Sequence, residues 1–159
     1  NGMDRVEFML SANPGESLKP LEKVASGGEM SRIMLAFKAI AANADSIPTL
    51  IFDEIDTGIS GHIAAVVGEK MVSIADNHQV LCVTHLPQIA ALADVHFMVQ
   101  KQDDGQTTRT SLKRLEMEER YEYIARMMSG MEDSKLAYEH ARELITHSEE
   151  IKQKRRKNK

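Results

Sequence analysis

The chain has 159 residues, is 42% hydrophobic but only 4% aromatic, contains no Trp and ten Met, and carries a net charge of −4. That length suits one domain whose core is built from Leu, Ile, Val, Ala and Met, and it is short for two. No apolar run approaches the roughly 20 residues of a membrane helix and the opening shows no signal-peptide pattern, so a soluble cytoplasmic protein is expected.

The first residues alternate: Val6, Phe8 and Leu10 with Arg5, Glu7 and Met9, a period of two that predicts a half-buried strand. A strand so near an abrupt start, with no initiator Met, suggests a fragment whose missing N-terminal part supplies the neighbouring strands. Asn13-Pro14-Gly15 ends this strand, and the region of Pro20 reads as loop. Ala25-Ser26-Gly27-Gly28-Glu29 then opens a helix with Met30, Ile33, Met34, Phe37, Ile40 and Ala41 at helical spacing, through about Asn43. Ser26 and Glu29 have the spacing of a capping box. A cap alone needs no pair of glycines, each of which costs about 1 kcal/mol relative to Ala inside a helix. Gly27-Gly28 fit a place where something must come close to the backbone. Amides at a helix start with a Ser hydroxyl beside them suit a phosphate.

Thr49-Leu50-Ile51-Phe52 reads as a buried strand stopped by Asp53-Glu54, and Ile55-Asp56-Thr57-Gly58 continues into a turn that runs to Gly61. Two readings stand side by side. Asp53 is either a cap on an ordinary core strand, or one of two acids at the carboxyl end of a sheet strand, where ligands of open α/β sheets bind. In the second reading one carboxylate holds a hydrated Mg²⁺ and the other orients or deprotonates a water. Ile63 to Ile74 predicts a helix, and Gln79 to Thr84 a second continuous apolar strand of a sheet covered on both faces. A βαβ unit follows, with His85 emerging at the same sheet edge as the two acids. Leu86-Pro87 leads into a short helix through Ala93.

Val95 to Gln100 and Thr107 to Leu112, around Asp103-Asp104-Gly105, predict an edge hairpin. Glu116 to Ser129, stopped by Gly130, and Ser134 to Glu150 predict two amphipathic helices whose Met residues fill core. The single Cys82, inside Val80 to Thr84, reads as a small buried hydrophobe. His62, His78, His96, His140 and His147 show no metal-ligand spacing with acids or Cys82. Six of the last eight residues are Lys or Arg, which leaves 14 basic against 24 acidic residues, a net −10, over 1–151. The expected organisation is one domain over 1–151 and a basic, disordered tail over 152–159, with phosphate contact as the tail's alternative use.

The stretches Ala25 to Arg32, Phe52 to Gly61 and Val83 to Ala90 together resemble the C-terminal half of an ATP-binding-cassette ATPase head, from about Asn13 to about Ile145. Ile55 and Asp56 after the second acid, in place of a Pro, resemble the SMC-like branch, which includes bacterial DNA double-strand-break repair proteins. The resemblance implies an α/β fold, a mostly parallel sheet flanked by helices with an antiparallel edge hairpin. Ser26, Gly27, Gly28 and Glu29 match the signature motif that meets the γ-phosphate of ATP held by the opposite subunit. Asp53 matches the Walker B acid for Mg²⁺, and Glu54 the carboxylate that polarises the attacking water. Asp56, Gly58 and Gly61 match the D-loop at the dimer seam, and His85 the switch histidine. ATP and Mg²⁺ are the implied cofactors. The implied partners are an N-terminal lobe with its coiled coil, a second head, and DNA through the whole, nucleoid-associated protein.

One departure limits this. The chain holds no G-x-x-x-x-G-K-[ST], and its nearest echo, Gly68 to Lys70, lies mid-helix. The isolated chain is therefore expected to be inactive, and a non-catalytic docking module remains the alternative.

Overall fold

The computed structural model describes residues 2–11, 14–24, 26–41, 47–103, 107–130 and 134–157. Its centre is the βαβ unit that the apolar runs require. Strand Thr49–Phe52 (here β3, after two short strands taken up below) pairs in parallel with β4, Gln79–Cys82, through helix α3, Gly61–Ala75. The register sets Thr49 opposite Gln79 and Phe52 opposite Cys82, so both strands end at one edge. Leu50 and Phe52 turn toward α3, where Ala64, Val67, Met71 and Ile74 are buried, and Leu35 of helix α2, Gly27–Ala41, closes the same core.

Side chains of a strand alternate between faces, and here only one face is packed. Ile51 is 70% exposed and its register partner Leu81 47%, with Val83 exposed beyond them. This corrects the expectation of a pair covered on both faces: among the described residues nothing lies over the second face. β4 also stops at Cys82, two residues short of Thr84.

The opening strand is shorter than its alternation suggested. Only β1, Met9–Leu10, pairs, antiparallel with β2, Lys19–Pro20. Pro20, expected in a loop, therefore sits opposite Met9, tolerable for a residue without an N–H at the rim of a two-residue ladder. Val6 and Phe8 remain exposed, and Phe8 meets Phe37 of α2 edge to face at 5.8 Å. The short α1, Leu21–Val24, leads toward α2. Asn13, Ala25 and the expected helix end near Asn43 lie outside the described residues.

The second half packs separately. The one-turn helix α4, Pro87–Ala90, leads to β5, Phe97–Asp103, which pairs with β6, Thr108–Arg114, as the expected antiparallel hairpin. Its turn at Asp104-Gly105 is outside the described residues. Helix α5, Met117–Ser129, begins with a full capping box between Glu116 and Glu119 and stops at Gly130 in the left-handed region, φ 64°. Its Ile124 and Ala125 interlock with Ala141 and Ile145 of α6, Lys135–Lys157, over Ala90 and Ala91.

Helix α6 corrects the expected disordered tail, since it runs unbroken through Lys157. Lys152 is 4% exposed and reaches Asp94 Oδ1 at 3.0 Å and Glu149 Oε1 at 2.7 Å, while Arg155 Nε donates to Asp76 Oδ2 at 2.9 Å. These pairs dock the basic end of the helix where a free end would fray. The chain is thus α/β, with a parallel pair, an antiparallel hairpin and flanking helices, its described strands forming three separate pairs. Among the described residues no helix is long and apolar enough to cross a membrane.

Candidate functional site

The start of α2 is held as its sequence requires. Ser26 N donates to Glu29 Oε2 at 2.9 Å, and Glu29 N donates to Ser26 Oγ at 3.3 Å, which completes the capping box. The glycines answer a second demand. A Cβ on Gly27 would stand 2.6 Å from Glu54 Oε2, and one on Gly28 2.8 Å from the Glu54 carbonyl and 3.0 Å from Thr57 Cβ. What approaches the backbone is the turn that follows β3 in the same chain. Side chains from the next helical turn fasten it: Ser31 Oγ donates to Asp53 O at 2.9 Å, and Arg32 Nη1 donates to Ile55 O at 3.0 Å and Thr57 O at 2.8 Å. Neither Ser31 nor Arg32 announces this role in the sequence. Their one visible signal is polarity within an apolar helix run between Met30 and Ile33.

Asp53 and Glu54 both lie exposed at the end of β3. Glu54 N donates to Asp53 Oδ1 at 3.0 Å, and Glu54 adopts φ 56°, the one positive value for a non-glycine among the described residues. A residue held in that region stores on the order of 1–3 kcal/mol, and such outliers gather at functional sites. Here the clamp from Ser31 and Arg32 maintains it. Ile55, fully buried, anchors the turn on its core side. Gly58, φ 75°, and Gly61, φ 54°, then carry the exposed loop into α3.

Asp56 is placed differently from its neighbours. Only 3% exposed, it accepts two bonds on one oxygen, Oδ2, from Thr84 Oγ1 at 2.5 Å and His85 N at 2.8 Å, and the His85 ring nitrogen Nδ1 lies 3.1 Å from the same oxygen. Burial pushes its carboxyl up, but the Thr84 hydroxyl, the His85 amide and the nearby ring outweigh burial and hold it below the ordinary Asp value. The carboxylate is committed inside the chain, so the surface of this loop is presented by Thr57 and Gly58. His85 itself keeps a side chain 74% exposed, next to the buried Asp56.

Burial, then the charges of Asp56 and Asp53, raise the Cys82 thiol to about 12, which makes it an inert core group. Gly68 is spent on packing, where a side chain would collide with Leu92. No group of three His, Cys, Asp or Glu residues that would cage a metal occurs among the described residues. Asp53 offers one exposed carboxylate, which fits Mg²⁺ in the manner that leaves most of its shell to water and phosphate.

No protein-family model matches the chain. It is 51% identical over 152 residues to the DNA repair protein RecN of Halalkalibacterium halodurans, covering 96% of this chain and 27% of that protein. To the DNA repair protein RecN of Bacillus subtilis it is 47% identical over 152 residues, covering 95% and 26%, and to that of Treponema pallidum 47% over 144 residues, covering 91% and 25%. The chain thus spans about a quarter of the length of the curated relatives it matches. A solved structure from work on ATP-driven dimerization and DNA-stimulated activation of SMC ATPases aligns over 72% of this chain and 68% of that one, at 21% identity and a TM-score of 0.47, too slight a likeness to bear weight. By sequence, the chain belongs to the RecN family, of whose longer members it matches the C-terminal part.

Proposed function

We propose that this chain is the C-terminal lobe of a DNA-repair ATPase head, supplying signature, Walker B, D-loop and switch residues for ATP-driven head dimerisation and hydrolysis. One observation carries the reading: the start of α2, the acid end of β3 and His85 beyond β4 meet at a single edge, joined by the Gly28–Glu54–Thr57 contact and by Asp56. Their order and spacing in a RecN-family chain support it further.

In this reading ATP with Mg²⁺ brings the phosphoryl group and the charge that neutralises it. Asp53 holds the cation from the end of β3. Glu54, set apart by its unusual backbone, orients a water and takes its proton. His85 presents its ring toward the γ-phosphate. Ser26 and the amides of Gly27 and Gly28 meet the nucleotide held by the opposite head. The phosphate-cradling loop comes from the remaining part of the longer protein, so hydrolysis belongs to the joined lobes. Repair of DNA enters through the relatives' names, and the acidic body of this chain gives DNA contact no separate support.

The test joins the chain to that remaining part and follows ATP-dependent dimerisation by size-exclusion chromatography. Ser26→Arg should block dimerisation while nucleotide binding by single heads persists. Equal loss of both would contradict a signature that acts across the dimer, and would favour the docking-module alternative.

A further inference from the structure

We propose that Arg32 is a positioning residue for Glu54, holding from the second turn of α2 the carbonyls that follow it. The start of α2, which faces the opposite head's nucleotide, and the acid that serves this head's own water then move as one piece. The inference rests on the roles of Ser26 and Glu54 given above, and it adds to them a residue to which the resemblance gives no role.

Three observations carry it. The first is how the turn after β3 is bonded. Every carbonyl from Asp53 to Thr57 has a donor: Ser31 Oγ for Asp53 at 2.9 Å, Thr57 N for Glu54 at 3.0 Å, Arg32 Nη1 for Ile55 at 3.0 Å, Ile59 N for Asp56 at 3.3 Å, and Arg32 Nη1 again for Thr57 at 2.8 Å. The two bonds made inside the turn set its local shape, and the three from α2 fix where it sits. Arg32 makes two of those three, so its loss leaves two backbone acceptors without their donor, a cost that drives a loop to rearrange.

The second is the backbone of Glu54 itself. A non-glycine residue keeps a φ of 56° only where its surroundings hold it, and the carbonyls on either side, those of Asp53 and Ile55, are both bonded to α2. The third is closeness. A Cβ on Gly28 would meet Arg32 Nη1 at 3.1 Å as well as the Glu54 carbonyl at 2.8 Å, so guanidinium, glycine and turn share one contact. A shift of the α2 start by a nucleotide on the opposite head is thereby passed to Glu54, which links the two nucleotide sites of a head dimer through this chain.

The first measurement is an NMR experiment on the ¹⁵N-labelled chain. A residue at positive φ brings its amide and α protons close together, so Glu54 should give a strong intraresidue amide–Hα NOE. Arg32→Ala should weaken it and shift the amides of residues 54–57. Arg32→Lys, which keeps the charge and most of the stem but ends short of the two carbonyls, should do the same to a smaller degree. A weak NOE in the wild type would overturn the proposal without any variant having to fold, and so would residues 54–57 unmoved in either variant. In the joined ATPase, Arg32→Ala should lower kcat by about 10- to 100-fold, as misplacement of a reacting group does, with little change in the KM for ATP. Because Arg32 acts through Glu54, the same change made on top of Glu54→Gln should cost little more, whereas an equal further loss on that background would mean a general structural role and overturn the positioning. Wild-type turnover in Glu54→Gln, with the NOE and shifts as expected, would overturn the role of Glu54 and leave the hold of Arg32 on its turn standing.

Discussion

The chain has two cores, and they use their polar groups for opposite ends. Around β3 and β4, Ser31 and Arg32 reach carbonyls of a turn, Asp56 gathers Thr84 and His85, and Glu54 sits at φ 56°. Around α5 and α6 the polar groups finish helices: Glu116 and Glu119 form a cap, Gly130 makes the stop, and Lys152 and Arg155 pin the last turns to Asp94 and Asp76. The first region holds exposed loops in fixed, partly strained shapes. The second closes helix ends and pins a helix terminus, as a scaffold does.

That contrast can be broken by substitution, and the largest expected effect on folding lies in the scaffold. Ile124→Ala opens the seam between α5 and α6, where Ile124 and Ile145 are almost wholly enclosed, and should cost about 2–5 kcal/mol in denaturant unfolding. Amide resonances of residues 53–57 should stay where they are. Movement there on the same scale as at the seam would mean that the two cores are one mechanical unit.

Gly28→Ala should do the reverse. Its Cβ meets the Glu54 carbonyl and Thr57, neither of which yields without moving the turn, so it should cost about 1–3 kcal/mol and shift the resonances of Glu54 to Thr57. Gly27→Ala meets only the far end of the Glu54 side chain and should disturb the turn less. If the two alanines behave alike, close packing of the turn is not the reason for the glycine pair.

Much of the scaffold was open to a reader of the sequence because its determinants are local. The capping spacing of Ser26 and Glu29, the Gly130 stop, the period of the helices and the hairpin runs all act within a few residues of one another. The same holds for the acids after β3, since an apolar run cut short by Asp53-Glu54 marks a strand end by itself. What was hidden depends on partners far apart in the chain. The basic terminus reads as solvated until Lys152 finds Asp94, 58 residues away, and Arg155 finds Asp76. The apolar run of β4 reads as buried on both faces, although only one of them meets a helix. Asp56 was visible as a loop acid, but its inward turn toward Thr84 and His85 is decided across 28 and 29 residues. The backbone of Glu54 at φ 56° stands among carbonyls of Asp53, Ile55 and Thr57 that Ser31 and Arg32 hold from 22 to 25 residues away.

The strained region at the end of β3 is where the proposed hydrolysis would take place. The most direct measurement is ATP turnover by the joined lobes carrying Glu54→Gln, which keeps shape and polarity but removes the carboxylate that would take a proton. Turnover should fall by about 10²- to 10⁴-fold, the usual contribution of a positioned general base, while ATP-dependent dimers still form. Turnover at the wild-type rate would contradict the assignment of Glu54 and return the acid end of β3 to an ordinary capped strand.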